Sequence, residues 1–279
     1  MKRFFVSASL LLAMGAQAQT LVKQNTLAKG QTFTKTAKSV INNNMEMMGQ
    51  KVNTDITNGN TTTYTVDAVD ANGAKITAQM KKLSMNLDAM GQNMSYDSDK
   101  PDESNPMAAP MKSILGAVTK LQVNNAGIIT DLKIEGDSSA MTIMESMSGG
   151  MSSGPEKGKA IDFVLPLSKN EVKVGETWAD STGNEDNKTV NYYTLTSVIN
   201  GTALVSQKST MALKKTANQQ GMDVTTNLAG TANGMLEVDA KTLVIRKRKL
   251  AMDFKGTIEV MGMNSPMTMK AEVEETVQQ

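Results

Sequence analysis

Methionine is the residue with the most chemistry to offer in this chain. There are 23, against five Phe, one Trp and neither Cys nor His. They cluster in "MEMMGQK" from Met45, in "MGQNMS" from Met90 and in "MGMNSPMTMK" from Met261 to Lys270. Thioethers are soft ligands that suit Cu(I), and Met-x-Met spacing on an exposed strand or loop supplies two or three of them. Met261, Met263, Met267 and Met269 are the best candidates for such a site, and Met45, Met47 and Met48 come second. Packing is the competing use. Methionine fills irregular gaps that aromatics leave, and this chain has few aromatics. Met48-Gly49, Met90-Gly91 and Met261-Gly262 each precede a new strand, which reads as hairpin punctuation with glycine in the turn. Packing is the favoured reading, with no metal and no cofactor expected.

Other chemistries fall away on composition. Without histidine there is no usual general base, no usual zinc ligand and no Ser-His or Cys-His nucleophile. A Ser-Lys or carboxylate pair has no recognisable motif here, so the expectation is a protein that is not an enzyme. Setting aside Lys2 and Arg3 leaves 27 basic and 28 acidic residues, which is no footprint for nucleic acid. "RKRK", Arg246 to Lys249, is either a contact for an anionic surface or a charged strand that extends past the core or guards an edge. The second is favoured. Arg246 and Arg248 break the alternation of Val244, Leu250, Met252 and Phe254.

The elements that must position these residues are strands. In "MTMKAEVEETV", Met267, Met269, Ala271, Val273 and Val277 share one face and charged or hydroxyl residues the other. Tyr64, Val66 and Ala68 do the same in "TYTVDA", as do Ile128, Leu132 and Ile134 in "IITDLKIE". One apolar face and one wet face mean antiparallel strands over a one-sided core. Turns are expected at Asn58-Gly59, Asn72-Gly73, Asn125-Ala126-Gly127, Asn200-Gly201 and Asn233-Gly234. Two short helices are expected, one within Asn105 to Val118, where Pro106 and Pro110 limit its start, and one over Ser138 to Met147. Residues 148–159, rich in Gly, Ser and Pro, read as a flexible linker.

The linker separates related halves, an N-terminal β unit over 19–147 and a C-terminal one over 160–279. "YTVDAVDANGAKITAQ" at Tyr64 aligns with "YTLTSVINGTALVSQ" at Tyr193 with one deletion, and "GQTF" at Gly30 with "GETW" at Gly175. The spacing between these landmarks differs, which suggests an extra hairpin near Gly49 in the first half. Residues 1–18 read as a signal peptide: basic Lys2 and Arg3, an apolar run from Phe4 to Met14, and cleavage near Ala18. No later segment is apolar enough to span a bilayer as a helix. Export to the periplasm or beyond, soluble after cleavage, is therefore expected.

"LPLSKNEVKVGETW", Leu165 to Trp178, resembles the central signature of a family of exported bacterial β-rich proteins of unknown function. Leu165, Pro166, Val172, Val174, Gly175 and Trp178 occupy its Leu-Pro…Val-x-Val-Gly-x-x-Trp places. The resemblance implies no activity and carries over no functional residue. Read from the residues, Pro166 and Gly175 bracket a turn, with Val172 and Val174 entering on one face. Trp178 anchors the second half's core, or else forms an aromatic platform, with Phe33 as its counterpart in the first half.

The expected fold is mainly β: two related antiparallel curved sheets or half-barrels with one or two short helices. The expected function is an exported, non-enzymatic envelope protein that binds a lipid-like or other apolar ligand in a curved sheet. A structural or protein-interaction module of the envelope is the alternative, and a Cu(I)-binding protein the second.

Overall fold

The computed structural model describes residues 20–22, 27–47, 50–89, 91–136, 155–183, 186–219, 222–260 and 262–279. The expected signal peptide, the helix over 138–147, the first part of the linker, and Met48, Gly49, Met90 and Met261 lie outside the described residues.

The alternation seen in the sequence builds one long antiparallel sheet. Its strands are β2 (Thr32–Met47), β3 (Gln50–Asp70), β4 (Gly73–Ala89), β5 (Gln92–Asp97), β6 (Val118–Asn124), β7 (Ile129–Glu135), β9 (Thr177–Gly183), β10 (Asn187–Ile199), β11 (Thr202–Gln219), β12 (Met222–Asp239), β13 (Ile245–Val260) and β14 (Met263–Gln278). Their order is β7-β6-β4-β3-β2-β14-β13-β12-β11-β10-β9, with β5 on a further part of β4. Two short strands, β1 (Thr20–Val22) and β8 (Glu171–Lys173), pair apart from it. β2 and β14 pair over twelve registered positions, so the two expected sheets are one continuous sheet, open at β7 and β9.

The duplication is visible in the register. Phe33 faces Tyr64 across β2–β3, and Trp178 faces Tyr193 across β9–β10. Gly30 N donates to Val66 O and Gly175 N to Leu195 O, each at 2.8 Å. A bulge follows at the same place in both copies, after Val66 and after Leu195. The next hairpins close at Asp70–Gly73 and Ile199–Thr202, a constant offset from the tyrosines. No deletion is needed, and Ala71-Asn72, not Asn72-Gly73, corresponds to Asn200-Gly201. Nor, among the described residues, does the first half hold an extra hairpin. β2–β3 is the counterpart of β9–β10 with longer arms.

Three of the expected turns form. Asn200 and Gly201 both have positive φ, 49° and 78°, as a type I′ hairpin turn requires. Asn58-Gly59 and Asn233-Gly234 instead lie inside β3 and β12. Their glycines meet a different demand, close approach of neighbours. A Cβ on Gly234 would sit 1.9 Å from the Lys249 carbonyl oxygen and 2.6 Å from Leu250 Cδ2. One on Gly59 would sit 2.7 Å from Ser84 Oγ. Antiparallel pairing runs up to Met47–Gln50, Ala89–Gln92 and Val260–Met263, on either side of the Met-Gly positions. Gly91 and Gly262 have φ of 75° and 79°.

Something must cover the apolar face of an open sheet, and among the described residues a helix, the segment that follows residue 158 and the β1–β8 pair do so. The helix α1 (Ala108–Gly116) forms within the expected span, with Pro110 in its first turn, where a missing N–H costs nothing. Its Ala108, Met111 and Ile114 are buried against Leu83 and Tyr96. A second cover is the segment 159–165, which turns at Asp162-Phe163. Ile161 and Phe163 enter the core of the first copy with Phe33, Tyr64, Val66, Ile76 and Leu121. Leu165 enters that of the second copy with Trp178, Tyr193, Leu195, Val205 and Leu236. Trp178 stacks on Tyr193 at 5.5 Å and donates Nε1–H to Pro166 O at 2.8 Å, so it serves the core rather than a platform. Val172 is buried but Val174 is 42% exposed, because β8 ends between them. The linker expected over 148–159 is described only from 155. There Gly158 N donates to Ile129 O and Lys159 O accepts from Ile129 N, both at 2.8 Å, so this end is tied to β7.

These contacts order three substitutions. Gly234→Ala forces β12 and β13 apart and is expected to cost about 2–3 kcal/mol, the upper part of the range for overpacking. Gly262→Ala, with open space around it but φ of 79°, is expected to cost roughly 1 kcal/mol. Met269→Leu nearly keeps its buried volume and is expected to stay below about 1.5 kcal/mol. Melting curves check the order, with Gly234→Ala the least stable of the three.

Candidate functional site

A concavity with convergent polar groups lies on the inner face of the first copy, beneath segment 155–162. It encloses about 480 Å³. One wall comes from β14 and β13, with Ala271, Val273 and Met252. The opposite wall comes from β4, β6 and α1, with Met80, Leu83, Leu121 and Ile114. Ile41 closes the floor away from the segment. Between the walls, β2 and β3 present Ser39, Asn58, Asn60 and Thr62. Strand alternation puts these on the face of Ile41 and Tyr64, and Ser39 lies directly opposite Asn58.

The end nearest the segment is charged. The Lys35 ammonium, only 10% exposed, pairs with Asp162 and with Glu275 at 2.8 Å. Arg248 donates Nη1–H to Glu275 at 2.9 Å, and the Tyr64 hydroxyl donates to Asp162 at 3.1 Å. Two cations meet two carboxylates, and all four carboxylate oxygens accept a hydrogen bond. Burial by itself would lower the Lys35 pKa, but Asp162 and Glu275 outweigh it and hold the amine above its ordinary 10.5. Burial would likewise raise Asp162. Lys35, helped by Arg248 and the Tyr64 hydroxyl, holds it below 3.8 instead. Burial, reinforced by Asp162, pushes Tyr64 well up, and burial pushes Tyr193 up to about 12.

The expected methionine site divides. Met263 is 52% exposed beside the β13–β14 turn. Met267 and Met269 point to the inner face, where they join Phe254, Leu228, Ile41 and Met252 in an apolar floor. Met267 lies opposite Met45 across β2–β14, a neighbour that no reading of the separate motifs supplied. "RKRK" lies on β13, which is central rather than an edge. Each of its cations has an acid: Arg246 with Asp239, Lys247 and Lys249 with Glu274, Arg248 with Glu275. The sequence reading missed Lys35 and Glu275. The signal was present, since both occupy inward parity beside Phe33, Ile41 and Val273. The interruption noted at Arg248 is the same signal, a charge aimed at the apolar face.

Residues 71–162 and 142–245 match a family of unknown function (DUF6263), and together the matches cover more than half of the chain. The chain belongs to this family. Two matches along one family member agree with the duplication in the register. No curated protein matches. Among solved structures, one titled "Lipid-protein interactions in lipovitellin" is similar over 91% of this chain, with 8% identity and a TM-score of 0.51. The chain spans only 26% of that protein's length. The COG4313 outer membrane channel from Pseudomonas putida F1 aligns over 91% of this chain and 98% of its own, at 10% identity and a TM-score of 0.23. Among the described residues no helix is long and apolar enough to cross a membrane.

Two outcomes follow from this geometry. A depressed carboxyl pKa adds stability above the unfolded-chain value, and that stability is lost as pH falls through the folded value. A raised lysine pKa adds stability below the unfolded-chain value, lost as pH rises through the folded one. The Lys35–Asp162 contribution is therefore whole between 3.8 and 10.5 and fails beyond each limit. Asp162→Asn is expected to cost about 1–2 kcal/mol at neutral pH and to flatten the acid limb of a stability-versus-pH curve measured by urea melts. The cost stays in the lower half of the range because the Asp162 side chain is 45% exposed and screened. For the methionines, a Cu(I) competition titration under reducing conditions is expected to leave the protein metal-free. One equivalent held against a strong chelator, and lost in Met45→Leu or Met267→Leu, would make the floor a metal site.

Proposed function

We propose that this is an exported, non-enzymatic carrier that holds a lipid-like molecule on the inner face of its sheet. The observation that carries the reading is the 480 Å³ concavity between apolar walls, within the range of roughly 300–1,000 Å³ typical of small-molecule sites. The floor of Met45, Met211, Met252, Met267 and Met269 beyond it extends the apolar surface with side chains that adapt to chains of varied shape. The solved structure that shares the fold is titled for lipid–protein interactions, which supports the same reading by analogy of form alone. The basic residues at the start of the chain and the apolar run after them support export.

Native mass spectrometry of protein purified from its own host is expected to show a bound mass that denaturing conditions release. The neutral dye N-phenyl-1-naphthylamine should brighten on addition of the protein. Val273→Phe, which fills the cavity from β14, should weaken that binding about tenfold or more without lowering the melting temperature. A bare chain by mass, together with no dye uptake, would return the protein to the alternative of an envelope interaction module.

A further inference from the structure

The cavity's charges are used up, and its neutral polar groups are not. Asp162 and Glu275 have every oxygen engaged by Lys35, Arg248 or Tyr64. Lys159 and Glu156 at the rim pair with each other at 2.6 Å. Lys38 also borders the cavity, but alternation turns its side chain to the outer face. In contrast, Ser39, Asn58, Asn60 and Thr62 have no side-chain partner among the described residues, although all four line the cavity. They form one patch across β2–β3: Ser39 faces Asn58, Ala37 faces Asn60 and Lys35 faces Thr62. Apolar walls flank this patch on both sides, from Val273, Ala271 and Met252 and from Met80, Leu83 and Ile114.

From this pattern we infer that the ligand is a neutral amphiphile, a single apolar chain bearing a hydroxyl, ester or amide head rather than a carboxylate, phosphate or ammonium. The inference rests on the carrier reading and narrows its ligand. An anionic head placed at the patch would lie beside two carboxylates whose cations are already committed. A cationic head would lie beside Lys35. Either would give up its hydration with no free counter-charge, a cost that a neutral head avoids. Amides and hydroxyls offer both donors and acceptors, which suits an ester carbonyl and a glycerol hydroxyl together.

Competition against N-phenyl-1-naphthylamine tests this with three probes of equal chain length: monodecanoylglycerol, decanoate and decyltrimethylammonium, all below their micelle concentrations and at pH 8. Monodecanoylglycerol is expected to displace the dye at a concentration at least tenfold lower than either charged probe. Asn58→Leu combined with Asn60→Leu should shrink that ratio below threefold, each displacement being referred to the dye affinity measured for the same variant. Equal or tighter displacement by decanoate or decyltrimethylammonium would overturn the neutral-head inference and leave the carrier reading standing. So would an unchanged ratio in the double variant. Failure of the protein to take up dye or any probe would overturn both.

Discussion

Four backbone hydrogen bonds hold the two copies in one frame. In the first copy, Lys159 O accepts from Ile129 N and Ile161 N donates to Gly127 O, both at 2.8 Å. In the second, Phe163 O accepts from Ile245 N and Leu165 N donates to Leu243 O, both at 2.9 Å. The receiving turns are counterparts, and Gly127 and Leu243 both take positive φ, 74° and 59°. A two-fold repeat of turn geometry thus meets a single segment that itself turns at Asp162-Phe163, where Val164 N donates to Ile161 O at 3.1 Å. Ile161, Phe163 and Leu165 of that segment all reach the core, and Asp162, in the turn, reaches Lys35 and Tyr64. The segment is therefore both cover and clamp for a sheet that has no second sheet layer among the described residues.

The copies lie side by side in the same sense, as β7-β6-β4-β3-β2 and β13-β12-β11-β10-β9, with β14 inserted between β2 and β13. That insertion makes the sheet continuous and places the Lys35–Glu275–Arg248 network at the junction, where β2, β14 and β13 are neighbours. Hydrogen-bonded charge pairs in a partly buried setting cost desolvation, so they specify register more than they add stability. Here a slip of one residue in β2–β14 would turn Lys35 and Glu275 to opposite faces and leave a charge unpaired against the core.

Differences between the copies account for the cavity. In the second copy Leu165, Leu167, Val172 and Leu21 pack over Trp178, Tyr193 and Leu195. In the first, the long arms of β2 and β3 carry the sheet beyond the reach of segment 159–165, and α1 packs only at the β4 side, on Leu83. The uncovered stretch between them is the cavity. The Met-rich floor, built from β2, β11, β12, β13 and β14, lines the open part.

Period-two alternation, hairpin glycines and the matched tyrosine segments were legible along the chain because each is local: strand period, positive φ and turn length depend on a few neighbours. The core role of Trp178 and the inward course of Met267 and Met269 followed from the same rule. What stayed hidden depends on partners far apart in sequence. Asn58-Gly59 and Asn233-Gly234 look like turns until Ser84 and Lys249 arrive from other strands, after which glycine answers to crowding and not to φ. Lys35 and Glu275 stand at opposite ends of the chain, and their inward parity has no meaning as a pair until β2 and β14 come together. By itself the sequence determined strands, turns and a duplicated unit. Only the tertiary structure decided that the copies share one sheet, which charges neutralise each other, and that one half is left with an unfilled apolar hollow, because all three depend on which distant backbones hydrogen-bond side by side.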